Sequence, residues 1–267
     1  MSGRRIAMVG ADALPSAARV HNALLGGARN YRSDRELARQ LLALSPTLAD
    51  RLCARRAFAG RAVRWMLVAG IRQVVDIGAG LPVPGDAHEI AADAAPDAHV
   101  LYIDNDPVVV AARLIHGSVS VHADVRNPRC LLRSAAVRGL DLQRPVGLLL
   151  TGVLDHIKDS YEVAQILNQL RTATPYGSVL VLSAYADNDE EKTREAVNLY
   201  RSRVGPLIGR ARDEVASWFA GWELVAPGVS SPQSWRLQSP VPDAHPWEWA
   251  AAGLNLPPGH RVAEAGT

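Results

Sequence analysis

The period of the apolar positions divides the chain into two parts. Up to about residue 69 the period is helical: Leu37, Leu41 and Leu44 recur at one-turn spacing, and Phe58, Ala62, Trp65, Met66 and Ala69 form a second apolar face. Asp34 stands where it can cap the first of these helices. From Ile71 onward, short apolar runs at 73–77, 100–103, 118–122, 146–151 and 179–183 alternate with helix-compatible stretches at 88–95, 107–114 and 162–170. In the last stretch Val163, Ile166, Leu167 and Leu170 follow i, i+3, i+4, i+7, and Asp159 with Glu162 is spaced for a capping box. Asp106-Pro107 reads as an N-cap followed by proline at the first helical position.

Such alternation predicts an α/β fold with a doubly wound, mostly parallel sheet. After 188, a helix to about 203 and another around Val215, Trp218 and Phe219 precede short strands at 222–225 and 234–237. A Pro227-Gly228 turn between those strands predicts an antiparallel hairpin at one sheet edge. The segment from 240 is rich in Pro, Gly and Ala and reads as irregular. The predicted organisation is a helical cap over 1–66, a core over 67–239 and an irregular tail over 240–267.

Composition narrows the function. With 267 residues the chain can bury one large core. The 29 basic and 27 acidic residues leave a net charge of +2 with no dense basic run, which argues against nucleic acid as a partner. Cys53 and Cys130 have neither metal-ligand nor disulfide-framework spacing, so no metal is expected. No run approaches the length of a membrane span, and the first 15 residues lack the apolar stretch of a signal peptide. The expectation is a cytoplasmic protein.

Three strand ends carry the candidate chemistry. Asp76-Ile77-Gly78-Ala79-Gly80 breaks an apolar strand into a glycine turn, Asp104-Asn105-Asp106 ends the next strand, and Asp124-Val125 ends the third. Strand ends in this order, within about 50 residues, line the crevice of a doubly wound sheet and suit one extended nucleoside ligand. Gly78 and Gly80 let the backbone bend and approach the ligand. Asp76 can accept from the turn amides or from a ligand ammonium group, and Asp104 can take both ribose hydroxyls. Asp124 can receive the exocyclic amine of adenine while the Val125 amide serves a ring nitrogen. A dinucleotide site would need glycine at 83, where the chain has Val83, and Pro82 and Pro84 oppose a helix directly after the turn. S-adenosylmethionine, which has no phosphate, tolerates that longer loop.

The chain resembles the actinobacterial S-adenosyl methyltransferase family of the class I methyltransferases, long catalogued as a domain of unknown function. The resemblance rests on Leu24-Leu25-Gly26-Gly27 with Asn30-Tyr31, on Gly70-Ile71-Arg72-Gln73 and on Asp76-Ile77-Gly78-Ala79-Gly80-Leu81-Pro82. It continues through His88-Glu89, Asp104-Asn105-Asp106-Pro107 and Asp124-Val125-Arg126-Asn127-Pro128. It implies a class I Rossmann-like fold with a helical cap and a cofactor site at Gly78, Gly80, Asp104, Asn105, Asp124 and Val125, with Tyr31 reaching in from the cap. Departures from the family pattern fall at Leu154-Asp155-His156 and Leu182-Ser183-Ala184, after the fourth and fifth strands, and at Val83 and Asp86 in the glycine loop.

Methyl transfer is an in-line displacement in which the protein positions the acceptor and removes its proton. His156 is the first candidate base, since an imidazole titrates near neutrality, and Asp155 is the second. His88 and Glu89 are expected to fix the glycine loop. Trp247 and Trp249 either line an acceptor pocket or plug the core. The leading expectation is a methyltransferase acting on a small molecule. The rivals are a non-methylating protein on the same fold, either a sensor or an aminocarboxypropyl-transfer enzyme, and an NAD-dependent oxidoreductase.

Overall fold

Three helices, α1 (Ala17–Leu24), α2 (Arg32–Leu44) and α3 (Leu48–Val68), open the computed structural model, which describes residues 14–187, 191–237 and 246–260. Residues 1–13 and the opening of the C-terminal segment lie outside them. Asp34 sits inside the first turn of α2, not before it, because α2 starts two residues earlier. From there its carboxylate accepts from the Tyr31 amide at 2.8 Å and from Arg19 Nε at 2.9 Å, which joins α1 to α2.

Helix α3 links cap to core. Leu52 near its start joins Val20, Leu24, Leu37 and Leu41 in a cap cluster, whereas Phe58, Ala62, Val63, Met66 and Leu67 pack on the sheet. The helix therefore crosses residue 66, where the sequence pattern divides cap from core.

The alternating part follows as β1 (Gln73–Ile77), α4 (Ala87–Ala94), β2 (His99–Asp104), α5 (Pro107–Ile115) and β3 (Val119–His122). It continues with α6 (Pro128–Val137), β4 (Gly147–Thr151), a 3-10 turn at Leu154–His156, α7 (Ser160–Ala173) and β5 (Val179–Tyr185). Helices α8 (Glu191–Arg203) and α9 (Arg212–Ser217) precede β6 (Glu223–Leu224) and β7 (Glu248–Leu254). Helix α6 has no counterpart in the pattern read above; Asn127 caps it, accepting from the Cys130 amide at 3.3 Å, and Pro128 opens it.

The sheet order is β3-β2-β1-β4-β5-β7-β6. All pairs through β4–β5 are parallel, and β7 runs antiparallel between β5 and β6. Alternate residues of each strand feed two cores. Val75, Ile103, Leu148, Leu150 and Leu182 face the side covered by α6, α7 and α9, while Val74, Tyr102, Leu149 and Val181 face α3 and α4. Strand order reverses between β1 and β4, which opens a crevice at their carboxyl ends.

The closing strands differ from the sequence expectation. The stretch 234–237 is turn, and β6 pairs instead with β7, which lies inside the segment expected to be irregular. Glu-Trp-Ala-Ala-Ala-Gly-Leu has no β-branched residue to signal a strand. Its small residues are required by packing: a Cβ at Gly253 would meet the Phe219 ring at 2.6 Å and Trp222 at 3.0 Å.

Candidate active site

The glycine turn after β1 is held from below by β2. Gly78 has φ of 71°, and a side chain there would also run into Val153. Gly78 and Ala79 donate to the Ile103 carbonyl at 2.7 and 3.2 Å, and Gly80 donates to Asp104 Oδ2 at 2.9 Å. The turn amides are thus spent on β2, so Asp76 does not receive them. Arg113 of α5, fully buried, donates to the carbonyls of Gly80 at 2.7 Å and Ala79 at 2.6 Å. The same guanidinium pairs with Asp86 at 3.1 Å and lies 3.9 Å from the Tyr102 ring centre. The loop beyond is fixed by His88, whose amide donates to the Tyr102 hydroxyl at 3.0 Å, and by Glu89, which accepts from Gly85 at 2.8 Å.

Asp76, Gly78, Gly80, Asp104, Asn105, Asp124 and Val125 all line one cavity of about 700 Å³. The Asp76 carboxylate makes no hydrogen bond or ion pair within the described residues. Burial raises its pKa to about 7, Asp86 and Asp104 add to the rise, and Arg113 and Arg56 oppose it. Asp104 accepts one amide on each oxygen, Gly80 at 2.9 Å and Asp106 at 2.9 Å, and burial raises its pKa against those bonds. Asp124 is gripped by Arg126, with Nη2 at 2.7 Å and Nε at 3.0 Å, and is contacted by Asn105 at 3.3 Å. The Arg126 bonds pull its pKa down to about 2. Val125 keeps a backbone N–H with no acceptor in the described residues. Tyr31 is not brought into the cavity: it precedes α2, with the Arg19 guanidinium 4.8 Å from its ring centre.

Across the crevice, β4 and β5 supply the other wall. Gly152 donates to Ser183 Oγ at 3.1 Å, so Ser183 serves the turn after β4. Leu154 is buried in the core and does not face the cavity. Asp155 is 1% exposed and accepts from the Tyr185 amide at 2.7 Å, while Arg55 lies 3.9 Å from its other oxygen. Arg55 also pairs with the fully buried Glu248 at 2.6 Å. Burial raises the pKa of both acids, that of Glu248 to about 7, against the pull of Arg55. His156 lines the cavity, stacks on Tyr200 at 6.3 Å and hydrogen-bonds through Nδ1 to the Pro206 carbonyl at 2.7 Å. A carbonyl only accepts, so Nδ1 carries the hydrogen and the neutral ring keeps its lone pair on Nε2. Trp247 lines the cavity, whereas Trp249 packs against the core and donates to the Arg210 carbonyl at 2.9 Å.

Sequence reasoning missed the Arg113–Asp86 and Arg55–Glu248 pairs. Their partners lie 27 and 193 residues apart, and no local pattern links them. Helix α1 adds His21 to the cavity wall; burial, then the charges of Arg55 and Arg56, lower its pKa to about 3, so it is neutral.

Comparison with known proteins bears on the fold and the family. A family model described as S-adenosyl methyltransferase matches residues 9–255. A crystal structure of a candidate methyltransferase from Thermobifida fusca is 32% identical, covers 91% of this chain and 96% of its own, and superposes with a TM-score of 0.84. A DUF574 family protein from Streptomyces avermitilis is 29% identical over 91% of this chain and 98% of its own, with a TM-score of 0.83. No curated protein matches. The chain belongs to the S-adenosyl methyltransferase family.

Proposed function

We propose that the protein transfers the methyl group of S-adenosylmethionine to a small molecule held in the cap-covered cavity, with His156 as the base. The observation that carries this reading is one cavity of about 700 Å³ lined both by the three acidic strand ends and by His156. Its size suits a cofactor with a small acceptor beside it.

The free groups of the site fit the cofactor. The unpartnered Asp76 carboxylate suits the ammonium of the methionine part, the open face of Gly80 suits a close approach, and the unused Val125 N–H suits a ring nitrogen. Asp104, already oriented by two amides, keeps lone pairs for the ribose hydroxyls. Asp124 takes the adenine amine by giving up bonds to the half-exposed Arg126. When bound, the cofactor supplies a methyl group already activated by positive sulfur.

The chain's own part is to orient the acceptor, exclude water and accept one proton. Pro206 fixes the tautomer of His156, and the Tyr200 ring fixes its plane, so Nε2 is the basic atom. Asp155 is less suited to act as base, because its oxygens are committed to the Tyr185 amide and to Arg55. The free thiols Cys53 and Cys130 are in keeping with a cytoplasmic enzyme.

Product analysis tests the reading. Incubation with S-adenosylmethionine and a panel of small phenols, amines and acids should release adenosylhomocysteine. Release of methylthioadenosine would instead favour aminocarboxypropyl transfer, and cofactor binding without either product would favour a sensor.

A further inference from the structure

Helix α3 runs along the cavity with Leu48, Arg51, Leu52, Arg55, Arg56 and Ala59 on its lining face, at the spacing of one helical stripe. The three arginines on that face differ in their company. Arg56 lies 3.6 Å from Asp86 and donates to the Pro84 carbonyl at 2.9 Å. Arg55 faces Glu248 at 2.6 Å and Asp155 at 3.9 Å. The half-buried Arg51 side chain donates no hydrogen bond and forms no ion pair among the described residues. A guanidinium partly removed from water and left without an anion costs free energy that a bound anion would recover.

The order of the sheet tells which end of the cavity Arg51 serves. Asp124 follows β3, Asp104 ends β2 and Asp76 lies in the last two residues of β1, so the cofactor reading fills the half above those three strands. Arg51 stands one helical turn before Arg55, whose guanidinium reaches Glu248, the β7 partner of Tyr185 at the end of β5, two strands beyond β1, or about 10 Å at the usual strand spacing. The guanidinium groups that act on Asp76 are those of Arg113 and Arg56. Arg201 and the exposed Asp187 also flank Tyr185, Arg201 donating to the Leu207 carbonyl and neither pairing with Arg51. Tyr185 and Tyr200 have phenols whose pKa burial raises, to about 12 for Tyr185, His21 is neutral, and both buried acids are turned to Arg55.

We propose that Arg51 anchors a carboxylate carried by the methyl acceptor, whose planar body lies between Tyr185, Tyr200 and Trp247 with its reacting atom at His156. The proposal rests on the methyltransferase reading and adds to it the class of acceptor: an aromatic carboxylic acid. Arg51 is then a specificity-determining residue, since a neutral acceptor of the same shape would leave its charge unanswered.

The test uses the full chain saturated with adenosylhomocysteine and titrated calorimetrically with 1-naphthoate or its neutral amide, 1-naphthamide. The expected result is naphthoate binding about tenfold or more tighter than naphthamide. Arg51→Gln should remove that preference while changing adenosylhomocysteine affinity by less than about twofold. Because Arg51 holds no other group of the protein, the variant should fold, and an unchanged thermal melt verifies it. Equal binding of acid and amide, absence of naphthoate binding, or a preference that survives Arg51→Gln would overturn the proposal. So would an Arg51→Gln variant that binds adenosylhomocysteine tenfold more weakly, because Arg51 would then hold the cofactor's own carboxylate. Failure of the wild type to bind adenosylhomocysteine would instead overturn the methyltransferase reading and the acceptor class with it.

Discussion

At the scale of single residues, the site separates groups that hold the loop from groups left free for a ligand. Asp86 and Arg113 are spent on the glycine turn, Asp104 accepts from the turn and still lines the cavity, and Asp76 faces the cavity with a pKa raised to about 7. A bound ammonium group favours the ionised carboxylate, so below pH 7 binding must expel a proton. Adenosylhomocysteine affinity should therefore rise from pH 5 to pH 7 and level off above it. Calorimetry at pH 6 in buffers of different ionisation enthalpy should report release of up to one proton, and proton uptake would refute the role given to Asp76. His156 is tested in the opposite sense. His156→Gln should lower turnover by about 10²-fold or more and leave adenosylhomocysteine affinity unchanged. That the glycines and acids of the three strand ends line one cavity was legible, because parallel strand ends meet at the crevice of a doubly wound sheet. Arg113 was not, because an arginine inside a helix looks like any solvated arginine until the fold carries it under the turn.

Elements position these residues, and the structure ties them at a few points. Arg113 joins α5 to the turn after β1, and its removal would leave the 8%-exposed Asp86 with only Arg56 at 3.6 Å and the Val83 amide at 3.2 Å, and would free two carbonyls. Arg113→Met should cost about 3 kcal/mol in chemical denaturation and weaken adenosylhomocysteine binding as well; a variant with wild-type stability would show that the clamp is dispensable. The parallel strands were readable as apolar runs, and α7 as a helical stripe with its Asp159 cap, since both periods follow directly from burial on one or two faces. Strand β7 was not readable, because it has no β-branched residue and because Phe219 and Trp222 leave no room for a side chain at Gly253. Local propensity yields there to a tertiary contact.

On the proposed reading, the two halves of the sheet carry different duties: β3, β2 and β1 for the cofactor, β4, β5 and β7 for the acceptor, with α1, α2, α8 and the start of α3 packed together as the cap. Strand β7 completes the second half twice over, since it covers β5 along seven residue pairs and brings Glu248 to Arg55. A chain ending at residue 237 should therefore be insoluble or unfolded, as judged by circular dichroism and its recovery in the soluble fraction. A folded truncation would contradict the place given to β7. The doubly wound plan and the crevice were legible from alternation alone, but the cap's contact with α8 was not, because it joins segments about 150 residues apart in sequence through apolar faces that any helix could share. The central claim is that the cofactor lies across the ends of β3, β2 and β1. Calorimetric titration of wild type and Asp104→Asn with adenosylhomocysteine tests it most directly. The account predicts one micromolar site in the wild type and binding weaker by about tenfold or more in the variant; no binding to the wild type, or equal binding to both, would contradict it.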